Sequence, residues 1–275
     1  MFFKDLFCKD EFAQIVALNY QIDELKRDLS VAERTTDGVV KDFQARIDEL
    51  LADRQIQLSK FDAVMLYRDH LQKQIDALQI DAELEKYWND KRSKSNLTWP
   101  TRPVFGGVQN VAVNPRIYYQ STDMLPFVVG ETLDEKAKNC LLHVMQHVVY
   151  TPDSTDFKLP EVWLFPFETL TLRKGDCEDG AILLANLMLR QGIPYWRIRI
   201  NAGDVKDPAV KNSKVGHAWV TYLRESDNEW VVLDWCYWGT ECTSLQKKWH
   251  DATNYFNIWF SFNSRYVFKD EVLDR

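Results

Sequence analysis

The sequence predicts an α+β domain preceded by a long N-terminal helical hairpin or coiled coil. Residues 10–90 contain a single Gly and no Pro, and their apolar residues recur at helical spacing. Residues 89–107 then become polar and basic before a run of Pro and Gly, and the remainder mixes helix and strand signals. We therefore expect a helical extension over 1–95, a linker over 96–107 and the main domain over 108–275.

Composition and charge exclude several classes of protein. An apolar share of 45% with 27% charged residues is typical of a globular chain. The net charge of −7 and the lack of a dense basic block argue against nucleic acid as a partner. No apolar run approaches the ~20 residues of a membrane span, so no membrane partner is expected. Charged residues interrupt the apolar N-terminus, which resembles neither a signal nor a transit peptide, and we expect a cytoplasmic location.

The N-terminal segment carries two apolar stripes separated by the turn signal TTDG at 35–38. The second stripe is longer than the first, so part of its apolar seam cannot be covered by the first helix. We expect that seam to meet the second domain, a copy of itself or a helical partner, with a solvated helix as the alternative. The stripes comprise Ile15, Leu18, Ile22, Leu25 and Leu29, then Phe43, Ile47, Leu50, Leu51, Leu58, Phe61, Met65, Leu71, Ile75, Leu78 and Leu84.

The main domain alternates one amphipathic helix with several strand-like stretches. The helix is LDEKAKNCLLHVMQHVVY at 133–150, with apolar residues at helical spacing. The β-branched and aromatic stretches are WRIRINAG at 196–203, GHAWVTYL at 216–223 and EWVVLDWCYW at 229–238. They favour an antiparallel sheet beside helices.

The stretch GDCEDGAILLANLMLRQGIP at 175–194 predicts a buried helix with a thiol in its first turn. Asp176 is the expected N-cap, with Asp179 three residues later as its capping-box partner, and Gly192 is the expected stop. Cys177 would then lie at the positive end of the helix dipole, which favours a thiolate nucleophile. Because Asp176, Glu178 and Asp179 oppose a second negative charge, we expect a cationic partner as well.

His217 and Asp234 are the expected partner and its orienting group. The polar stretch RESDN separates their two strands and has hairpin-loop character. With a turn centred near Glu225 and Ser226, His217 would lie directly opposite Asp234, with Cβ atoms about 5 Å apart. A carboxylate at that distance holds an imidazole in one tautomer, and the imidazole can then accept the thiol proton.

The other cysteines need no special role. Five cysteines without an export signal disfavour a disulfide framework, so we expect mostly buried thiols. Cys236 and Cys242 lack the close pairing of a metal knuckle and are expected to be structural. The remaining two are Cys8 and Cys140.

These motifs carry a family resemblance. WLFPFETLTLRKGDCEDGAILLANLMLRQGIP, then GHAWV, then WVVLDW, resembles the transglutaminase-like superfamily, and most closely its bacterial transglutaminase-like cysteine peptidase branch. The resemblance covers about residues 160–238 and does not touch residues 1–100. It implies a papain-like core, in which the helix bearing the nucleophile packs on an antiparallel sheet, and a catalytic triad of Cys177, His217 and Asp234.

The resemblance also bears on metal and oxyanion sites. Some peptidases of this branch bind calcium beside the nucleophile, and Asp176 and Glu178 would then be the ligands, as hard oxygen donors allow. Capping and solvation explain the same acids without a metal, so we expect no required cofactor and keep calcium as the alternative. The Cys177 backbone N–H is a natural oxyanion donor, and the Trp163 indole is a weaker candidate that is otherwise a core aromatic.

The sequence leaves three functions open. The first is a cysteine-nucleophile hydrolase acting on a protein or peptide amide through a thioester, and we favour it because the local motif is closer to the peptidase branch. The second is an amine-accepting transglutaminase that uses the same triad. The third is an assembly protein, such as a viral-particle component, in which the N-terminal helices dominate and the domain has little or no activity.

Overall fold

The computed structural model describes residues 9–32, 37–103, 110–120, 122–206 and 214–269. The chain divides into two compact units, Met1–Leu84 and Glu85–Arg275. Within the described ranges, no helix combines the length and the apolar character that crossing a membrane requires.

The N-terminal unit is the predicted helical hairpin. Helix α1 covers Lys9–Ala32, and helix α2 begins at Asp37 and continues to Asp90. The buried side chains are Ile15 and Ile22 on α1, and Ile47 and Leu50 on α2. The Arg54 guanidinium on α2 donates to Asn19 Oδ1 on α1 at 3.1 Å, as expected for helices packed side by side. Of the predicted turn signal TTDG, residues 35 and 36 lie outside the described residues.

Helix α2 extends well past the part that α1 can cover. The two helices contain 24 and 54 residues, and at about 1.5 Å per residue α2 is about 80 Å long. Apolar side chains in its second half are exposed, notably Leu71, Ile75 and Leu78 at helical spacing. We call these three residues the exposed seam. The predicted surplus of apolar surface is therefore present on this helix.

The C-terminal unit is built on a six-stranded sheet in which every neighbouring pair is antiparallel, in the order β1-β10-β9-β6-β7-β8. Two small sheets pair β2 with β3 and β4 with β5. Strand β2 lies within the segment predicted as a linker. The strands are Lys94–Ser95 (β1), Trp99–Pro103 (β2), Asn110–Val113 (β3), Val149–Tyr150 (β4), Lys174–Gly175 (β5), Ile198–Val205 (β6), Val215–Leu223 (β7), Trp230–Leu233 (β8), Tyr255–Phe262 (β9) and Val267–Lys269 (β10).

Helix α6, Cys177–Arg190, packs against β6 and β7 and against two neighbouring helices, α3 and α5. Its residues from Glu178 to Met188 are all buried, as the apolar sequence predicts. Gly192, just beyond the helix, has a φ of +82°, the left-handed conformation expected of a glycine stop. The other helices are Leu133–His147 (α3), Asp153–Asp156 (α4), Pro166–Leu172 (α5) and Gly239–Thr243 (α7), with 3-10 turns at Pro115–Tyr118, Thr122–Met124, Tyr195–Arg197 and Trp249–Asp251.

The strand predicted at 229–238 is shorter than expected. Strand β8 ends at Leu233, because the Asp234 carboxylate accepts the backbone N–H groups of Cys236 and Tyr237 at 2.8 and 3.1 Å. This side-chain turn diverts the chain out of the sheet. Beyond this turn, Trp235 packs against Gly180 of α6 and Tyr237 lies against His217.

Candidate active site

Cys177 is the first residue of helix α6, as the sequence predicts. The Asp176 N–H donates to the Asp179 Oδ2 at 3.2 Å, which is half of the predicted capping box. Two glycines of the GDCEDG motif permit close packing: a Cβ on Gly175 would lie 2.6 Å from Asp179 Cβ, and one on Gly180 would lie 2.2 Å from the Trp235 indole. The helix start is thus held rigidly by its surroundings.

His217 and Asp234 form a buried pair. His217 Nε2 lies 2.8 Å from Asp234 Oδ2, and both side chains are almost fully removed from solvent. The Tyr255 hydroxyl donates to the same oxygen at 2.7 Å, while the other oxygen accepts the two backbone N–H groups already described. Because Nε2 is engaged by the carboxylate, Nδ1 is the ring nitrogen that remains for proton transfer.

The strand register differs from the prediction. Val220 pairs with Leu233 and Leu223 with Trp230, so His217 and Asp234 are offset by two positions rather than directly opposite. The reason is a longer loop, in which the Asn228 N–H donates to the Arg224 carbonyl at 3.1 Å and Asn228 is left-handed. Diagonal neighbours on one sheet face are still within reach of long side chains. The His217–Asp234 contact therefore forms although the predicted register was wrong.

The Cys177 thiol lies beside this pair without a hydrogen bond to it among the described residues. Its sulfur is within hydrogen-bonding range of the Ala218 backbone N–H, and its carbonyl accepts the Trp235 indole N–H at 3.1 Å. Ala218 follows His217 and Trp235 follows Asp234, so the three predicted residues converge. The thiol itself donates to Glu178 Oε2 at 3.1 Å.

The thiol is not activated by the helix start in this arrangement. Burial, and next the charge of Asp176, raise the pKa of Cys177 well above its usual value. Burial and the Asp176 charge therefore oppose the lowering expected from the helix dipole, in line with the expectation that the thiolate needs a cationic partner. A positive charge is needed to favour the thiolate.

Five carboxylates cluster near the start of helix α6, and two of them, Asp176 and Glu178, lie beside the thiol. Burial is the largest cause that raises the pKa of each, and it brings that of Asp153 to about 7. Asp176 Oδ1 and Glu178 Oε1 are buried and accept no hydrogen bond from an N–H or hydroxyl donor among the described residues, while the two carboxyl groups contact each other. Oxygen atoms of this kind suit a hard cation such as calcium, so the predicted pair fits that metal. The group, called the acidic cluster below, comprises Asp153, Glu161, Asp176, Glu178 and Asp179.

The Trp163 indole N–H already has a hydrogen-bond acceptor. It donates to Glu161 Oε1 at 2.6 Å, and the Trp163 ring is buried near Phe260 and Phe262. This contact supports the core-aromatic interpretation over an oxyanion donor.

Sequence reasoning missed several residues around the pair. The Tyr237 ring lies 4.9 Å from the His217 ring, and the Tyr255 hydroxyl holds Asp234. Cys236, expected to be structural, places its sulfur within 4.8 Å of ligand atoms on His217 and Asp234. The stretch DWCYW carried a usable signal, because a strand that ends in Asp can project the following residues around the carboxylate.

The remaining cysteines are Cys140, Cys242 and Cys8. Cys140 and Cys242 are buried, and burial raises the pKa of each to about 12. Cys8 lies outside the described residues.

Comparison with known proteins assigns part of the chain to a family. Residues 128–235 match the model of the transglutaminase-like superfamily. This segment is a transglutaminase-like domain. The match includes Cys177, His217 and Asp234 and excludes both N-terminal helices.

Similar solved structures include Legionella pneumophila LapG, at 17% identity over 56% of this chain and 75% of that chain, with a TM-score of 0.39. The EGTA-treated form of LapG shows 17% identity over 58% and 75%, with a TM-score of 0.39. The calcium-bound form shows 18% identity over 51% and 70%, with a TM-score of 0.38. No curated protein matches the sequence.

Proposed function

We propose that the transglutaminase-like domain is a cysteine-nucleophile hydrolase that acts on a protein or peptide amide. The observation that carries the proposal is the buried His217–Asp234 pair at 2.8 Å, next to a thiol at the start of α6. A nucleophile, a base and a group that orients the base are the three parts of a catalytic triad.

In this mechanism, Cys177 passes its proton to His217, and its sulfur attacks the amide carbonyl carbon. Asp234 stabilises the imidazolium. The backbone N–H of Cys177, at the helix start, is placed to stabilise the oxyanion. His217 returns the proton to the leaving amine, and the C–N bond breaks to leave a thioester. Water then attacks the thioester with the same base and releases the acid and the thiol.

Asp176 and Glu178 are the proposed calcium ligands, and Asp153 is a further candidate because its carboxylate lies near each of them. A cation bound there would supply positive charge that offsets the negative charge of the acidic cluster and favours the thiolate. The support is the pair of buried carboxylate oxygens that accept no N–H or hydroxyl donor within the described part of the chain, because each such oxygen is costly unless it is protonated or binds a cation. The expectation of no required cofactor is therefore replaced by a proposed calcium dependence.

The same triad serves an amine-accepting transglutaminase if an amine, rather than water, attacks the thioester. Product analysis separates the two. We expect a peptide substrate with an added primary amine to yield free acid. A predominance of amide product would establish the transglutaminase alternative instead.

An assembly function is the second candidate, and the exposed seam on α2 is the observation that favours it. Leu78 is 69% exposed and Ile75 48% exposed, which is unusual for consecutive positions of one apolar stripe. We propose that these residues bind a helical partner or a second copy of the chain, as part of a larger assembly. This role is compatible with catalysis by the other unit.

The alkylation rate of Cys177 by iodoacetamide tests the proposed triad without a known substrate. The rate is measured by peptide mass spectrometry from pH 4 to 9, with calcium or a chelator, in the parent and in His217→Ala. We expect rapid reaction well below pH 8 in calcium, and slow reaction in the mutant or with the chelator. His250→Ala is the matched control, because His250 is partly exposed and binds only surface acids.

Equal rates for Cys177 in the parent and in His217→Ala would contradict the triad. The thiols of Cys140 and Cys242 serve as internal standards, because both are free and buried. A Cys177 that reacts as slowly as these two in calcium would favour an inactive domain within an assembly.

A further inference from the structure

Three different metal-ligating groups meet where strand β8 ends. A ring nitrogen of His217, a carboxylate oxygen of Asp234 and the sulfur of Cys236 all lie within 4.8 Å of one another. Imidazole, thiolate and carboxylate together form a ligand set for zinc, whereas calcium and magnesium take oxygen ligands. We propose that His217, Asp234 and Cys236 form a binding site for zinc, distinct in chemistry from the acidic cluster.

The backbone already presents the three groups to a common point. Asp234 accepts the Cys236 backbone N–H at 2.8 Å, so the cysteine is folded back over the carboxylate. His217 Nε2 approaches the other oxygen of the same carboxylate at 2.8 Å. Buried carboxylate and imidazole groups lose little side-chain freedom on binding, which favours a preorganised site.

Zinc requires only small side-chain movements here. Ligands about 2.0–2.3 Å from a tetrahedral zinc are about 3.3–3.8 Å from each other. The His217–Asp234 pair, now 2.8 Å apart, must therefore open by about 0.5–1 Å, and the Cys236 sulfur, within 4.8 Å of both, must approach by at most about 1.5 Å. Cys236 can do so by a change of rotamer, and three protein ligands leave one tetrahedral position for water.

Occupancy of this site competes with the proposed catalysis. Zinc bound to His217 Nε2 and Asp234 Oδ2 breaks the hydrogen bond between these two atoms. The imidazole then loses the carboxylate that orients it and stabilises its protonated form. Zinc would therefore inhibit the enzyme. Calcium bound to the acidic cluster would not restore the lost activity. This inhibitory consequence rests on the proposed function, whereas zinc binding itself does not.

The test measures metal binding to the purified full chain, with calcium in excess so that oxygen sites are filled. Isothermal calorimetry with zinc and absorption spectroscopy with cobalt are applied to the parent, Cys236→Ser and Cys242→Ser. Cys242→Ser is the matched control, because Cys242 is a free thiol outside the cluster. We expect one zinc per chain in the parent and the control.

Cys236→Ser is expected to weaken zinc binding by more than about 10-fold, which is the smallest loss for removal of even an outer-shell partner. Cobalt should give a sulfur-to-metal charge-transfer band in the parent and the control, and no such band in Cys236→Ser. His217→Gln provides a second variant, which should also weaken zinc binding while keeping the thiol. Circular dichroism verifies that each variant is folded.

Cys177→Ser separates this proposal from the proposed function. We expect it to abolish amide hydrolysis and to leave both zinc affinity and the cobalt band unchanged. A cobalt band that persists in Cys236→Ser and disappears in Cys177→Ser would overturn the assigned ligands. Zinc affinity that is equal in the parent, Cys236→Ser and His217→Gln would overturn the site altogether.

Discussion

Asp234→Asn removes one negative charge from the candidate active site while keeping the shape of the side chain. The Asp234 carboxylate is fully buried and accepts hydrogen bonds from His217, Tyr255, Cys236 and Tyr237. An asparagine can retain the two backbone N–H groups through its carbonyl oxygen. Its NH₂ group, however, would then face His217 Nε2 and would favour the imidazole tautomer with the proton on Nδ1. That tautomer cannot accept the thiol proton.

The magnitude follows from the charge that is lost. With the imidazolium and carboxylate centres about 4 Å apart and an effective dielectric constant of about 20, the pair contributes about 4 kcal/mol. Each 1.36 kcal/mol corresponds to about tenfold in rate, so loss of the charge costs about three decades. The unfavourable tautomer adds to this, and about four decades is known for the equivalent change in a serine triad.

The assay is the alkylation rate of Cys177 by iodoacetamide below pH 8 in calcium, followed by hydrolysis rates once a substrate is found. We expect Asp234→Asn to lower the alkylation rate by about 1,000-fold, with intact circular dichroism. Asp251→Asn is the matched control, because its side chain is 73% exposed and should leave the rate unchanged. A folded Asp234→Asn protein whose Cys177 reacts within twofold of the parent would refute the reasoning.

Three further predictions concern packing, acidity and association. Gly180→Ala places a methyl group 2.2 Å from the Trp235 indole and should lower the free energy of unfolding by about 1–3 kcal/mol, measured in urea. The control, Gly38→Ala, has open space around it and should change the free energy of unfolding by less than about 0.5 kcal/mol. Similar values for the two variants would contradict the close approach of Gly180 to Trp235. Burial and then the Asp176 charge raise the pKa of Asp153 to about 7, so the folded state holds this proton more tightly than the unfolded chain, whose carboxyl titrates near 4. Without calcium, the melting temperature should therefore fall between about pH 4 and pH 7, and Asp153→Asn should flatten the fall; a parent that gains stability across this window would count against the buried acids. Ile75→Glu combined with Leu78→Glu should convert a self-associated full chain to monomer in sedimentation experiments. The control pair, Gln74→Glu with Gln79→Glu, should leave the association unchanged. A monomeric parent would show that the exposed seam does not mediate self-association.

The sequence alone identified the elements that depend on neighbours along the chain. The cap at Asp176, the start of α6 at Cys177 and the stop at Gly192 follow from local hydrogen bonding and backbone conformation, and all three were predicted correctly. The helical hairpin likewise follows from apolar spacing. The family resemblance of GDCEDG, GHAWV and WVVLDW agrees with the family match over residues 128–235.

Tertiary structure decided the register and the electrostatics of the site. The offset between His217 and Asp234 depends on the left-handed Asn228 in the hairpin loop, and a one-dimensional pattern does not specify that conformation. The raised pKa of Cys177 depends first on burial and then on the charges of Asp176 and Cys236, and Cys236 belongs to a separate segment.

The position of Cys236 beside the His217–Asp234 pair also came from three dimensions, through the turn that Asp234 makes with its own backbone. Local sequence therefore determined where the helix that carries the nucleophile begins and ends. Only the folded chain determined the charge states and the spatial neighbours of the site residues. The reason is that desolvation and Coulomb interactions depend on distance in space rather than along the chain.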